Sequence, residues 1–115
     1  MSLIKEVRAI IRVEKLETVK EALAGIGLPG LMITHIEGHG TQKGLTEQFR
    51  GREYKVDLLP KVRMETVCLD KDAERIVKTI ADAARTGEIG DGKIFVYNVE
   101  DAIRIRSMDR GEAAI

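Results

Sequence analysis

The stretch IKEVRAIIRVEKLETVKEALAGIGLPGLMITHIEG, residues 4–38, decides the fold. In its first ten residues Val7, Ala9, Ile11 and Val13 alternate, which puts them on one face of a half-buried strand over 4–13. Leu16, Val19, Leu23 and Ile26 then recur at helical spacing, predicting a helix near 15–25 with Gly25 or Gly27 as its left-handed cap. Pro29-Gly30 makes a turn, and LMITHIEG at 31–38 returns as a second strand. The order is strand, helix, strand.

The same order recurs downstream. KVRMETVCL at 61–69 has strand character, and Asp70 is a suitable N-cap for a helix whose apolar stripe is Ala73, Ile76, Val77, Ile80 and Ala84. Gly87 is read as the end of that helix, and KIFVYNV at 93–99 is the return strand. Two β-α-β units imply an α+β, ferredoxin-like sandwich, with a four-stranded antiparallel sheet and both helices on one face. The second sheet face is then bare, yet the strands are apolar at nearly every position, as in Ile94, Phe95, Val96 and Val99. Cover by further copies of the chain explains this; a monomer with a mixed surface is the alternative.

Composition narrows the function. At 115 residues the chain is one domain, 1–115. Nineteen basic and nineteen acidic side chains cancel, so no global field marks nucleic acid or membrane as partner. Two Tyr, two Phe and no Trp give little material for a base-stacking surface. Cys68 is the single cysteine, so no intrachain disulfide forms; it lies in an apolar run and is read as a buried thiol of a cytoplasmic protein. Lys5, Glu6 and Arg8 interrupt any apolar leader, and the longest uncharged segment, 24–36, is too short to span a bilayer.

Three segments carry candidate chemistry. Between the two units lies GHGTQKGLTEQFRGREYKVD, 38–57, with four glycines, no regular period, and Lys43, Arg50, Arg52 and Lys55 against Glu47 and Glu53. An insertion of that length is functional or a solvated hairpin tip. The second segment, TGEIGDGKIFV at 86–96, holds Gly87-x4-Gly92-Lys93, a P-loop pattern with Ile94 where Ser or Thr belongs. It follows a helix and precedes a strand, the reverse of a P-loop, and no Walker B run is nearby. What remains is Gly90-Asp91-Gly92, whose amides suit an anion nest beside Lys93, or simply a turn before a strand. The third is IRIRS at 103–107: if extended, it points Arg104 and Arg106 one way for phosphate and Ile103 and Ile105 inward, unless this is an edge strand with solvated arginines. His35 and His39 have no third partner for a metal, and no nucleophile-base pair is found, so no enzyme is expected.

These residues resemble the PII nitrogen-regulatory signal-transduction proteins along essentially the whole chain. The resemblance rests on GHGTQKGLTEQFRGREYKVDLLPKV at 38–62, TGEIGDGKIFV at 86–96 and VEDAIRIRSMDRGEAAI at 99–115. It implies a homotrimer whose sheets line the centre, with ATP or ADP in the three clefts between subunits. Phosphate contacts then fall to Gly90, Asp91, Gly92 and Lys93, with Arg104 and Arg106 reaching in from the neighbour. Glu65 and Val67 hold adenine and ribose; Met32 stands where a hydroxyl residue is often found near the base. Gly40, Thr41 and Gln42 form the base of the long T-loop, about 38–56.

The resemblance further implies 2-oxoglutarate beside Mg-ATP, with Gln42 completing the magnesium shell. Lys61 pairs with a carboxylate of the keto acid, and Gly40 and Lys43 add contacts. A dianion and a polyphosphate sit together only when a cation and lysines offset their charge. Arg50 at the loop tip matches an Arg that enters the mouth of an ammonium transporter, and Tyr54 matches a Tyr that many members have nucleotidylylated. Glutamine synthetase or another nitrogen-assimilation enzyme is the next partner. The protein is then cytoplasmic, recruited to the membrane only by a transporter. A trimeric metal-binding module on the same fold is the alternative function.

Overall fold

A computed structural model of the chain describes residues 3–28, 30–38, 46–49, 52–55 and 59–115. Strand β1 is Ile4–Arg12, and a single 3-10 turn, Val13–Lys15, leads into helix α1, Leu16–Gly25. Strand β2 is Met32–Gly38; β3 and β4 are Thr46–Phe49 and Arg52–Lys55. Strand β5, Leu59–Leu69, is followed by helix α2, Asp70–Ala84, and strand β6, Gly92–Val99. A last 3-10 turn spans Gly111–Ala114.

The main sheet has the order β2-β5-β1-β6, and all neighbouring strands are antiparallel. Each β-α-β crossover leaves a one-strand gap. β5 fills the gap between β1 and β2, and β1 fills the gap between β5 and β6. The two units therefore interlock, and neither has a complete sheet alone. This is the ferredoxin-like α+β fold that the sequence predicts.

The alternation in β1 works as expected up to its end. Val7, Ala9 and Ile11 face the helices with Val62, Met64 and Cys68 of β5, against Val19 and Leu23 of α1 and Ala73, Ile76, Ile80 and Ala84 of α2. Val13 departs, because the 3-10 turn takes it out of the strand and leaves it partly exposed. Gly27, at φ 77°, closes α1 and donates its amide to the Ala24 carbonyl at 3.0 Å. Cys68 is buried as expected, and its removal from water raises the thiol pKa first, with Asp72 and Asp70 adding to it.

Two expectations change. Asp70 is the first residue of α2 and makes no side-chain cap; its amide donates to the Leu3 carbonyl at 2.8 Å and its carboxylate lies 3.7 Å from Lys5 Nζ. It still favours the helix through the dipole. The 38–57 insertion is not without regular structure. Within it β3 and β4 pair antiparallel, with Thr46 opposite Lys55 and Phe49 opposite Arg52.

Candidate nucleotide site

The segment between α2 and β6 is organised by one carboxylate. Asp91 Oδ2 accepts the amides of Thr86 and Gly87 at 2.8 and 2.9 Å. Its Oδ1 accepts the Thr86 hydroxyl and, at 3.0 Å, Arg12 Nε. Arg12 Nη2 also donates to the Ile89 carbonyl at 2.9 Å. A second cation closes the arrangement from β5, where Lys61 Nζ donates to the Gly90 carbonyl at 2.6 Å. Arg12 and Lys61 are only 7% and 8% exposed, so these contacts form largely away from water.

This arrangement corrects the reading of Gly87. Helix α2 ends at Ala84, with the Arg85 amide bonded to the Ala81 carbonyl, and Gly87 does not cap it. Its φ of 90° serves the loop, turning its amide onto Asp91. Gly90 and Gly92 are also left-handed, at 101° and 108°. Because Asp91 occupies the Thr86 and Gly87 amides, an anion nest here is confined to the Gly90–Lys93 end. The Asp91 side chain itself is turned into the loop.

Charge in the loop is tuned by these contacts. Desolvation pushes the Asp91 carboxyl up but is outweighed by the Thr86 hydroxyl and amide, Arg12 and the Gly87 amide, which hold it well below the usual carboxylate range. The Lys61 ammonium is pushed down, first by desolvation and then by the Arg12 charge, with Glu14 and Asp91 partly restoring it. A cleft of about 260 Å³ runs alongside, lined in part by Ile80, Ala84, Arg85, Asp91, Gly92 and Lys93. The Lys93 ammonium has no ion pair among the described residues.

Register places the other expected contacts. Met32 and Glu65 are direct partners across β2 and β5, and Val67 lies two residues on along the same face. Lys61 shares that face by strand parity, and Lys93 joins it through the Ile10 position, which pairs with both Arg63 and Lys93. Met32, Lys61, Glu65, Val67 and Lys93 thus all lie on the sheet face away from the helices. Glu65 is held there by Arg63, 2.7 Å from its Oε1, and by Arg8, 3.7 Å from its Oε2.

The C-terminal arginines sit differently from the extended reading. Ile103 makes an isolated bridge with Arg110, and residues 105–107 form a turn. The Met108 amide bonds back to the Arg104 carbonyl at 2.7 Å, with Met108 at φ 61°, and the Arg104 amide reaches the Asp109 carbonyl at 2.9 Å. Asp101 anchors the loop by pairing with Arg110 at 2.6 Å and accepting the Ala102 and Gly111 amides. Four alternating residues cannot compete with these local bonds. Ile105 is therefore 93% exposed, not inward. Arg104 lies 3.8 Å from Asp109, and neither Arg104 nor Arg106 lines the cleft beside the loop.

Gly40, Thr41, Gln42, Lys43 and Arg50 lie outside the described residues. Tyr54 is in β4, opposite Glu47. Among the described residues, no group of three or more His, Cys, Asp or Glu could hold a metal ion, so the metal-binding alternative gains no support. None of the described helices is long and apolar enough to cross a membrane. Arg12 and Thr86 are side chains of this loop that the sequence alone does not point to. Thr86 and Asp91 share one short segment, but nothing local pairs either with Arg12.

Comparison with known proteins settles the family. The sequence profile described as Nitrogen regulatory protein P-II matches residues 4–109. The chain belongs to the P-II family. It is 56% identical over 111 residues to the Nitrogen regulatory protein P-II of Rhodospirillum rubrum, covering 96% of this chain and 99% of that one. It is 49% identical to Nitrogen regulatory protein P-II 2 of Methanothermobacter thermautotrophicus over the full length of both. Among solved structures it resembles Arabidopsis thaliana PII bound to citrate, at TM-score 0.80 and 38% identity, covering 99% of this chain and 94% of that one. As a P-II protein it is a regulator in nitrogen signalling and not an enzyme.

Proposed function

We propose that this P-II chain senses ATP or ADP and 2-oxoglutarate at clefts between the subunits of a homotrimer, and reports the result through residues 38–56. The observation that carries the proposal is the meeting of Lys61 with the Gly90 carbonyl, inside a loop that left-handed Gly90 and Gly92 turn sharply ahead of Lys93. A partly desolvated lysine at this loop, on the same sheet face as Lys93, is a site that gains when polyanions arrive. Met32, Glu65 and Val67 on the same bare face suit the nucleoside end, and Arg104 and Arg106, exposed on their loop, suit contact with a neighbouring copy's phosphates.

The donor set fits magnesium only in company. Gln42 supplies one neutral oxygen, so phosphate and keto-acid oxygens have to provide most of the shell. Gly40, Thr41 and Lys43 complete the cradle at the base of the loop. The relative from Arabidopsis thaliana binds citrate, a polycarboxylate like 2-oxoglutarate, which supports the carboxylate half of the site. The two ligand states favour different loop arrangements, because each ligand makes its own contacts at positions 40–43. Arg50 then meets an ammonium transporter, or the loop meets glutamine synthetase or another nitrogen-assimilation enzyme, in the cytoplasm; Tyr54 is the position for covalent modification.

Two variants separate the roles. Gln42→Ala is expected to lose 2-oxoglutarate binding by at least tenfold while keeping most of the ATP affinity, about 1.4 kcal/mol or more in calorimetry. Arg104→Ala is expected to weaken ATP while the trimer persists on sedimentation. Equal loss of both ligands in the first variant, or dissociation in the second, contradicts the assigned roles.

A further inference from the structure

The bare sheet face has a polar centre. Arg8 of β1 stands directly opposite Glu65 of β5, and its Nη2 lies 3.2 Å from Glu6 Oε1 and 3.7 Å from Glu65 Oε2. Arg63 Nε lies 2.7 Å from Glu65 Oε1, and the Arg8 guanidinium sits over the Tyr97 ring, 4.9 Å from its centroid. Two positive and two negative charges cancel within this group. Apolar side chains flank it on both sides, Met32 on β2 and Phe95 on β6, both well exposed.

The intrachain contacts do not use up the Arg8 guanidinium. Among the described residues, Nη2 alone of its donors makes a hydrogen bond, to Glu6, and Nε is covered with no acceptor. The corresponding Arg63 Nε meets Glu65 outside hydrogen-bond geometry. Arg8 Nη1, which makes no hydrogen bond among the described residues and is not covered, is the donor left for a further carboxylate. Among the described residues Glu6 accepts on Oε1 alone, which leaves its second oxygen for another guanidinium. A face that is neutral overall, alternating in sign and apolar at its border is complementary to itself.

We infer that this four-charge group is the register key between copies of the chain, with Arg8 of one copy seated on Glu6 of the next. The inference rests on the homo-oligomer proposed above and names the polar contact that sets its rotation and its choice of subunit. Apolar contacts supply most of the affinity, whereas Arg8 and Glu6 reject a chain whose charges fall in another order. Around a closed ring each Glu6 bridges its own Arg8 and its neighbour's.

Charge complementation tests this on the full chain. Arg8→Glu and Glu6→Arg are each expected to raise the concentration needed for assembly at least tenfold, read by sedimentation and native mass spectrometry. Circular dichroism follows the fold of each variant. Mixed one to one, they are expected to form mixed oligomers in excess of either pure species, since two of three contacts in a ring of three become complementary. Arg8→Gln, which removes the charge without reversing it, is expected to assemble closer to the native level and to form fewer mixed oligomers with Glu6→Arg than Arg8→Glu does, since one contact in a ring of three is then complementary instead of two. Mixed species at or below the statistical proportion, or single variants that assemble like the native chain, overturn the key. A native chain that runs as a monomer overturns the homo-oligomer itself; an oligomeric native chain without complementation overturns only this contact.

Discussion

Gly92→Ala is expected to leave little folded protein. A Cβ at this position would lie 1.7 Å from the Ile10 carbonyl oxygen and 2.8 Å from its carbon, both backbone atoms of the neighbouring strand. The φ of 108° adds strain for any L side chain. Relief requires β1 and β6 to separate where β6 begins, which removes ladder bonds and moves Arg12 away from Asp91. The cost is about 4 kcal/mol or more, a large share of the stability of a domain this size. Gly87→Ala is the matched control. It carries similar strain at φ 90° but has no atom within 4 Å of the added carbon, so a loss of about 1–2 kcal/mol is expected. Urea unfolding of the two variants separates clash from strain, and equal losses would contradict the close approach at Gly92.

The second large effect is at Arg12. Arg12→Met keeps the aliphatic stem but removes the guanidinium from Asp91 and from the Ile89 carbonyl. Asp91 retains Thr86 and Gly87 and is part-exposed, so the loss is set at about 2 kcal/mol, below that of a fully buried pair. The sign of the pH dependence follows from the direction of the Asp91 shift. Its folded pKa lies well below the unfolded value near 3.9, so its contribution is complete above that value and lost as pH falls through the folded pKa. The Asp91 share of the difference between native and variant proteins is therefore expected to persist from neutral pH to pH 4. It closes only in stronger acid. Lys78→Met, which removes an exposed ion pair with Asp82 on α2, is expected to change stability by less than about 0.5 kcal/mol. Arg12→Met is also expected to weaken ATP binding at least tenfold, because the Gly90–Lys93 backbone loses its anchor. Unchanged ATP affinity with lowered stability would make Arg12 a structural residue only.

The fold was legible because its two units each carry a change of period, from two in Val7, Ala9 and Ile11 to 3.6 in Leu16, Val19 and Leu23. That signal depends on local geometry alone. The sequence is ambiguous where a local signal has several possible uses. A left-handed glycine ends a helix or turns a loop, and at Gly87 the deciding partner is Asp91, four residues later. The Ile-Arg alternation at 103–106 fits a strand, but Asp101, Asp109 and Arg110 hold that segment in a loop. Asp70 had the right chemistry for a cap, and its backbone and carboxylate were already engaged by the N-terminal strand.

The candidate site was legible in part. Gly90, Gly92 and Lys93 stand together in one segment, and Lys61 was reached only through the family resemblance. The contact between Arg12 and Asp91 spans 79 positions and exists because the sheet order brings the end of β1 beside the loop that precedes β6. No periodicity or motif in either segment announces it. The Arg8, Glu65 and Arg63 group was hidden for the same reason, since β1 and β5 are neighbours only through the interlocking of the two units.

A site that reads a keto acid through a nucleotide has a distinct signature in an ordered calorimetric titration. ATP added to the metal-free protein is expected to bind, and 2-oxoglutarate added alone is expected to give no heat above dilution. After saturation with Mg-ATP, 2-oxoglutarate is expected to bind at the same clefts, with a dissociation constant at least tenfold lower than any seen in its absence. Failure of ATP to bind, or 2-oxoglutarate binding equally well with and without Mg-ATP, would contradict the account.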